Sequence, residues 1–273
     1  HIVFELEQPL GRDAVFSNTK HDGRVFFAVP QGPLLLVGTT DDRFDGDPSS
    51  IRPSSSDVDY LLEEAQELLP GMGLTRDRIR YAYAGLRPLQ RVKGGPEAAI
   101  SRRHAVVPHA KHGGPEGMYS VVGGKLSTFR PLAEEAAALL GPPRKRKTDN
   151  SPVAPGWNLV LKETPLSLHQ KHHLRIYGPA IAEVLALGME PLCEHAGAIA
   201  GEVRYVATTE EVKSLADIMM RRTGISWSAC RGLCCAETVA AIAGTVLGWD
   251  GSRQSAELDA FRAELDFHLP SVE

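Results

Sequence analysis

The sequence predicts an α+β fold in which a group of strands precedes a group of helices. Short apolar and β-branched segments, separated by turn residues, occupy the start of the chain. Beyond Pro165, apolar residues recur at helical spacing instead. A proline-rich, charged connection between Gly141 and Trp157 separates the two patterns. We therefore predict a strand-containing domain at residues 1–147 and a small all-α domain at residues 148–273.

Composition restricts the classes of protein to which the chain can belong. Its 273 residues are 42% hydrophobic, and its net charge is -4 at a pI near 6.2. That charge gives no overall electrostatic attraction for nucleic acid, so no nucleic-acid partner is expected. The sequence contains no signal-peptide pattern and no apolar run of bilayer length. We expect a cytoplasmic protein and, because His1 lies in a predicted strand without an initiating Met, a piece of a longer one.

The first predicted elements are a hairpin and a covering helix. Two apolar runs, Arg24–Pro30 and Pro33–Gly38, are joined by a turn that contains Gly32, and this spacing favours an antiparallel strand pair. Polar residues follow the second run, at a kind of strand end where α/β enzymes often place reacting groups. Ser56 is then predicted to cap an amphipathic helix that ends before Pro70.

Two further predicted strands carry arginine side chains. Residues 79–86 lead into Arg87, and residues 98–107 contain Arg102 and Arg103. The guanidinium fork matches the oxygens of phosphate or carboxylate, so two strands of one presumed sheet that each deliver an arginine suggest a bidentate anion clamp. The alternative is a pair of independent surface arginines.

A strand, a glycine turn and a helix come next. The apolar segment Met118–Val122 leads into Gly123-Gly124-Lys125, and helix-period apolar residues follow until Gly141. Ser127 or Thr128 is predicted to cap this helix. Glycine lets the backbone approach a ligand, while the first N–H groups of a helix and a lysine favour negative charge. The turn is thus a candidate anion cradle; the alternative is a tight turn with a surface lysine.

The rest of the chain is predicted to be helical. A basic run, Arg144–Lys147, falls in the connection and is interpreted as a solvated linker, with contact to an anionic membrane surface as the alternative. His169, His172 and His173 lie close together but are interpreted as surface residues rather than zinc ligands, because no acid or cysteine accompanies them. The predicted helices are 180–187, 198–207, 212–222, 233–247 and 256–265.

Five motifs follow one another along the chain: His1-Ile2-Val3, Gly38-Thr39-Thr40-Asp41 with Gly46-Asp47-Pro48, Ala84–Leu89, Ile100-Ser101-Arg102 and Gly123–Arg130. In this order and spacing they resemble the C-terminal half of FAD-dependent glycerol-3-phosphate dehydrogenases. The resemblance also extends through the helical part and covers essentially the whole chain. It implies oxidation of sn-glycerol 3-phosphate to dihydroxyacetone phosphate, with hydride transfer from C2 to flavin N5 and electron transfer to the membrane quinone pool.

The resemblance implies roles for particular residues. Arg87 and Arg102 would hold the substrate phosphate, while His1 and Thr39 would lie near the substrate hydroxyl groups. His1 is also a candidate general base, since an imidazole accepts protons near neutral pH. The flavin pyrimidine end, with Lys125 stabilising the charge formed on reduction, would contact Gly123, Gly124, Lys125, Leu126 and Ser127.

One departure from the family is large. No Gly-x-Gly-x-x-Gly follows a predicted strand, so the N-terminal FAD-binding half that holds the pyrophosphate is missing. We expect that this chain alone neither retains FAD nor turns over substrate, and that an exposed sheet edge favours a homodimer. Two alternatives are a non-catalytic module that binds a partner or a membrane surface, and another amino-acid-oxidase-like flavoenzyme.

The four cysteines all lie in the last third of the chain, and they are not predicted to form a disulfide framework. Cys193, Cys230 and Cys235 faintly resemble the iron–sulfur domains attached to some relatives, but such clusters need four thiolates, and this set would require His195 as a ligand. We therefore predict no metal site, and interpret Cys234 and Cys235 as apolar positions of the helix at 233–247.

Overall fold

The computed structural model describes residues 1–8, 10–11, 13–89, 100–141, 161 and 164–269. The chain divides into two compact units. Unit 1 comprises His1–Thr40, Arg52–Tyr83 and Pro152–Glu273, and unit 2 comprises Asp41–Ile51 and Ala84–Ser151. The predicted domain boundary after residue 147 and the basic run Arg144–Lys147 lie outside the described residues, so both interpretations stay predictions.

Unit 1 contains a five-stranded antiparallel sheet. Its strands are β1 (Ile2–Glu5), β2 (Val15–Asn18), β3 (Val25–Gln31), β4 (Leu34–Gly38) and β5 (Ile79–Ala82), in the spatial order β2-β3-β4-β1-β5. The predicted hairpin is confirmed as β3 and β4, whose register pairs Phe27 with Gly38. β1 is buried on both faces, because Ile2 and Phe4 pack in one hydrophobic cluster and Val3 packs in another. That double burial explains its continuous apolar sequence.

Helix α1 (Ser55–Leu68) covers one face of the sheet. Val58 and Leu61 of α1 share a hydrophobic cluster with Ile2 of β1. The predicted cap at Ser56 is wrong, because Ser54 accepts from Asp57 N and the Asp57 carboxylate accepts from Ser54 N. This reciprocal pair satisfies two otherwise unpaired N–H groups, which a cap two residues later would not do.

The helical part of unit 1 packs on the other face. Val3, Leu34 and Tyr81 belong to the same hydrophobic cluster as the buried residues of these helices. A short hairpin of β8 (Pro191–Cys193) and β9 (Ala198–Ile199) interrupts them. The helices are α3 (Leu168–His173), α4 (Ile181–Ala186), α5 (Ala200–Thr209), a π-helical segment (Asp217–Arg222), α6 (Ala236–Leu247) and α7 (Gly251–Phe267). The predicted α+β class is thus confirmed.

Unit 2 contains a small sheet and one long helix. Strands β6 (Ala105–Pro108) and β7 (Tyr119–Val122) pair antiparallel, and a 3-10 turn at Leu126–Thr128 precedes α2 (Phe129–Leu140). Thr128 does not cap α2 through its side chain. It closes the turn instead, accepting from Lys125 N at 3.3 Å and donating to Lys125 O at 3.0 Å.

The strands predicted beside the two arginines are shorter than expected. β5 ends at Ala82 and β6 begins at Ala105, so Arg87 and Arg102 both lie in loops. β5 and β6 also belong to different sheets, which corrects the expectation of one shared sheet. Next to Arg102, the Arg103 N–H donates to Ser101 Oγ at 3.2 Å, and such local side-chain bonds compete with strand pairing.

Among the described residues, no helix combines the length and apolar character needed to cross a bilayer.

Candidate functional site

Arg87 and Arg102 converge on one carboxylate within unit 2. The guanidinium group of Arg87 contacts Oδ1 of Asp41, and that of Arg102 contacts Oδ2. The two arginines are 15 positions apart in sequence, yet one small anion bridges them. The predicted convergence is therefore present. Asp41, which sequence reasoning placed in a motif without giving it a role, is the residue that occupies the space between them.

The three side chains of this cluster are partly exposed to solvent. The relative exposure is 40% for Arg87, 43% for Arg102 and 34% for Asp41. Ion pairs this accessible contribute about 0 to 1 kcal/mol to folding, because water and salt screen them. The same accessibility allows an incoming anion to reach both guanidinium groups. Two cations held around one oxyanion form the kind of fork that binds phosphate bidentately.

The glycine turn lies against the same segments of unit 2. The Gly123 N–H donates to Pro88 O at 3.0 Å, beside Arg87. A Cβ on Gly123 would lie 3.1 Å from Arg103 O, and Gly123 has a φ of 72°. Both the left-handed backbone and the close approach therefore require glycine at this position. The turn is held next to both arginine-bearing loops.

Backbone donors remain available beyond the glycine turn. Within the described part of the chain, the N–H groups of Gly124, Leu126 and Ser127 have no hydrogen-bond partner. Lys125 is exposed at the same place. Unpaired N–H groups with a nearby ammonium group are suited to an electron-rich edge of a bound group. This donor set fits the flavin-side role that the resemblance implies.

His1 is fixed by the sheet of unit 1. Its backbone nitrogen donates to Tyr83 O at 3.0 Å, and its carbonyl accepts from Tyr83 N at 2.9 Å. The imidazole ring stacks on the Tyr83 ring, with centroids 5.2 Å apart and an interplanar angle of 4°. Thr39, at the end of β4, donates its hydroxyl to Thr40 O at 2.8 Å. His1 is thus a half-buried imidazole with a defined orientation.

Gly38 leaves the space that the His1 ring occupies. A Cβ at Gly38 would lie 2.5 Å from His1 Cδ2, and the Tyr83 ring on which His1 stacks limits its retreat. We expect Gly38→Ala to displace the imidazole and, if His1 is a reacting group of the complete protein, to lower kcat/KM by about 100-fold. The matched control is Gly85→Ala, where a Cβ would meet nothing within 4 Å. If Gly38→Ala and Gly85→Ala were equally active, His1 would not be part of the active site.

The histidines of α3 are not arranged as a metal site. His169 Nε2 lies 3.1 Å from His195 O, and His173 Nε2 lies 2.8 Å from Oε2 of the buried Glu202. In the ranges described, the three histidines do not join a group of three close ligand atoms. His169, His172 and His173 instead line an open cleft of about 1220 Å³ in unit 1. The cleft contains none of the predicted site residues.

The interpretation of Cys234 and Cys235 as positions within a helix is wrong. Helix α6 begins at Ala236, one residue after Cys235, and Cys234 is exposed. Arg231 and Gly232, in the loop before α6, have positive φ, so neither residue can belong to the helix. Both thiols are directed to a cluster with Cys193 rather than into an apolar helix face.

Comparison with known proteins gives two family matches. Residues 1–130 match the model of FAD dependent oxidoreductases, and residues 157–254 match the model of the C-terminal domain of alpha-glycerophosphate oxidase. A solved structure, glycerol-3-phosphate dehydrogenase from Bacillus halodurans complexed with FAD, superposes with a TM-score of 0.73 at 24% identity. It covers 100% of this chain and 57% of that one. This likeness confirms the fold.

Named relatives agree with these matches. Glycerol-3-phosphate dehydrogenase of Synechocystis sp. is 30% identical over 86% of this chain and 47% of its own length. The Mycobacterium leprae enzyme of the same name is 30% identical over 99% of this chain and 49% of its own length. The chain thus spans about half the length of these curated relatives. It belongs to the family of FAD-dependent oxidoreductases that includes the glycerol-3-phosphate dehydrogenases.

Proposed function

We propose that this chain is the substrate-binding and flavin-side portion of a dehydrogenase that oxidises sn-glycerol 3-phosphate to dihydroxyacetone phosphate. The observation that carries the proposal is the convergence of Arg87 and Arg102 on the Asp41 carboxylate. A phosphate monoester can replace that carboxylate and offers more oxygens to the two guanidinium groups. The names of the relatives support the same substrate.

In this two-electron alcohol oxidation, each group of the site has a separate role. The arginine pair binds the phosphate, and Thr39 and His1 bind the hydroxyl groups. His1 accepts the proton of the C2 hydroxyl as the C2–H bond breaks, since neutral imidazole is the available base near pH 7. Lys125 and the N–H groups of Gly124, Leu126 and Ser127 stabilise negative charge that develops next to them.

FAD is the cofactor that this donor set fits. When bound, FAD supplies the acceptor for the hydride equivalent that leaves C2. The residues that would hold its pyrimidine end are Gly123, Gly124, Lys125, Leu126 and Ser127. Three unpaired N–H groups contribute only about 1 kcal/mol each, which is little against the entropy of immobilising a cofactor. We therefore propose that the chain alone does not retain FAD and is inactive, and that quinone at a membrane surface is the electron acceptor of the whole enzyme.

The test compares the isolated chain with the polypeptide that cells make from this gene. Intact mass and the sequence upstream of His1 establish whether a flavin-binding segment is present. Both proteins are then titrated with FAD by fluorescence and assayed for dye-coupled oxidation of sn-glycerol 3-phosphate. We expect turnover only where that segment is included. Micromolar FAD binding with turnover by the 273-residue chain would contradict the proposal, and inactivity of both would favour a non-catalytic module.

Asp41→Asn tests whether the carboxylate holds the place of a phosphate. Because the ion pairs are exposed, the free energy of unfolding should change by less than about 1 kcal/mol. Affinity of the chain for inorganic phosphate should rise by roughly three- to tenfold, since the phosphate no longer displaces a charged competitor. Asp42→Asn is the matched control, removing the same charge one residue away. Weaker phosphate binding by Asp41→Asn alone would mean that Asp41 positions the arginines.

A further inference from the structure

Four cysteine sulfurs from distant parts of the sequence meet in unit 1. Cys193 ends β8, Cys230 lies in the loop before α6, and Cys234 and Cys235 directly precede that helix. Cys193 Sγ lies 3.5 Å from Cys230 Sγ and 3.4 Å from Cys234 Sγ, and the last two sulfurs are 3.3 Å apart. The sulfurs of Cys193, Cys234 and Cys235 all lie within 4.8 Å of one another. Cys230 contacts two members of this group, Cys193 and Cys234, so the four thiols form one cluster.

These separations are close to those of a tetrahedral metal centre. A Zn–S bond of about 2.3 Å gives sulfur–sulfur edges of about 3.8 Å in a tetrahedron. The measured separations of 3.3 to 3.5 Å are a few tenths of an ångström shorter, and a central ion would spread the thiols by that amount. A disulfide needs sulfurs about 2.0 Å apart, so none of the described pairs is bonded. An iron–sulfur cluster distributes its thiolates over several irons, whereas the close sulfur pairs here have the spacing expected around a single ion.

Hydrogen-bonding groups lie beside the cluster. The Cys193 carbonyl accepts from Gly197 N in the β8–β9 turn, and the Ala196 N–H donates to the Cys193 sulfur. On the other side, Ser228 Oγ lies 3.4 Å from Cys230 Sγ. The Ser228 hydroxyl donates to Ile225 O at 2.8 Å, so Ser228 accepts from the Cys230 thiol. The Ala196 N–H is the donor here, and donors of this kind orient metal-binding sulfurs.

The loop that brings Cys230 back to Cys234 has a strained backbone. Arg231 has a φ of 56°, the one positive φ of a non-glycine residue in the described chain. Next to it, Gly232 has a φ of 73°, and a Cβ there would lie 2.6 Å from the Met219 methyl group. A left-handed arginine costs on the order of 1 kcal/mol and persists only where other interactions hold it. The Arg231 guanidinium group donates to Leu265 O at 2.5 Å, and a bound ion between Cys230 and Cys234 would add a second restraint on the loop.

We propose that Cys193, Cys230, Cys234 and Cys235 bind one Zn²⁺ as a closed tetrathiolate site. Four protein thiolates leave no position for water or substrate, so the ion is structural rather than catalytic. It joins the β8–β9 hairpin to the start of α6, two elements 41 residues apart at Cys193 and Cys234. The proposal is independent of the substrate and flavin assignments, because none of those residues takes part in it.

The first measurement is the metal content of the 273-residue chain. The chain, purified under reducing conditions without chelators, should contain about one zinc per chain when the acid-digested protein is analysed by elemental mass spectrometry. After acid release and refolding, Co²⁺ titration should produce the thiolate charge-transfer and intense visible bands of tetrahedral cobalt, saturating at about one equivalent. Zinc should then displace the cobalt and abolish these bands.

Substitutions distinguish thiolate ligands from a general structural effect. Cys193→Ser and Cys230→Ser should each weaken zinc binding by about 100-fold or more, because a hydroxyl is a poor ligand for this soft site. Cys234→His should retain about one zinc, since imidazole also binds zinc and Cys234 is exposed. The matched control is His195→Ala in the same hairpin. It removes an imidazole, which is a side chain able to bind zinc, and should leave the zinc content unchanged. Circular dichroism establishes that each variant is folded.

Three results would overturn the proposal. The first is a folded wild-type chain that contains no stoichiometric metal and binds neither Zn²⁺ nor Co²⁺ at micromolar concentration. The second is stoichiometric iron with visible absorbance in the purified chain, which would assign the thiols to iron. The third is loss of zinc in His195→Ala together with its retention in Cys193→Ser, which would place the metal elsewhere.

Discussion

In the dehydrogenase proposed above, Arg87→Ala and Arg102→Ala are each expected to cost about 2 to 4 kcal/mol of transition-state binding, which lowers kcat/KM for sn-glycerol 3-phosphate by about 30- to 1,000-fold. Each arginine contacts a different oxygen of the Asp41 carboxylate, so neither can replace the other on a bound phosphate. Loss of one leaves a doubly charged ligand with half of its charge-assisted contacts. Because exposed ion pairs contribute little to folding, the variants should remain as stable as the wild type.

The controls separate charge from geometry at this site. Arg103→Ala removes an exposed arginine next to Arg102 and should change kcat/KM by less than about twofold, within the usual range for surface substitutions. Arg87→Lys keeps the charge but loses the fork, and should recover only part of the loss. If Arg103→Ala reduced activity as much as Arg102→Ala, general electrostatic attraction would explain the effect. The double variant should be less defective than the product of the singles, since both act on one ligand.

Gly201→Ala is expected to lower the free energy of unfolding by about 3 kcal/mol, at the upper end for an overpacked core. Gly201 lies in the first turn of α5, and its N–H donates to Gly188 O at 2.9 Å. A Cβ would lie 2.2 Å from Val184 O and 2.5 Å from Gly188 O. Both contacts are to backbone, so no side-chain rotation can relieve them. Helix α5 would have to move away from the C-terminal end of α4.

The matched control for this substitution is Gly251→Ala at the first residue of α7. No atom lies within 4 Å of a Cβ there, and Asp250 already caps the helix by accepting from Arg253 N at 2.7 Å. Alanine should therefore leave stability unchanged or raise it by up to about 1 kcal/mol, since it reduces the entropy of the unfolded chain. Chemical denaturation followed by circular dichroism measures both variants. Equal stability of the two would show that α4 and α5 do not approach this closely.

Local sequence signals predicted the elements whose stability is local. The hairpin of β3 and β4 and the helices of unit 1 were identified from periodicity and turn residues, because these patterns reflect burial on one face. The caps and strand ends were less predictable. Ser54 and Ser56 differ only in whether Asp57 can complete a reciprocal pair, and the ends of β5 and β6 depend on which strands find partners across the fold.

The arrangement of functional groups needed the tertiary structure. Sequence could propose that Arg87 and Arg102 share an anion, yet it assigned both to one sheet, and only the fold shows Asp41 between them. The cysteines show the same limit more strongly. Cys193 is separated from Cys230 by 37 positions, and no short spacing motif indicates that the two meet. The signal that could have been used was the group of three cysteines at 230–235 beside a left-handed turn.

The core shared by sheet and helices in unit 1 has a consequence for unfolding. Val3 of β1 and Tyr81 of β5 pack in the same cluster as Phe261 of α7, and Ala82 N donates to His268 O at 2.7 Å. The two ends of the chain therefore depend on each other for burial. Amide protons of β1 and α7 should exchange with solvent through one common opening, with equal protection and equal sensitivity to denaturant. Contacts between residues that are far apart in sequence also cost loop-closure entropy, so refolding of unit 1 should be slow.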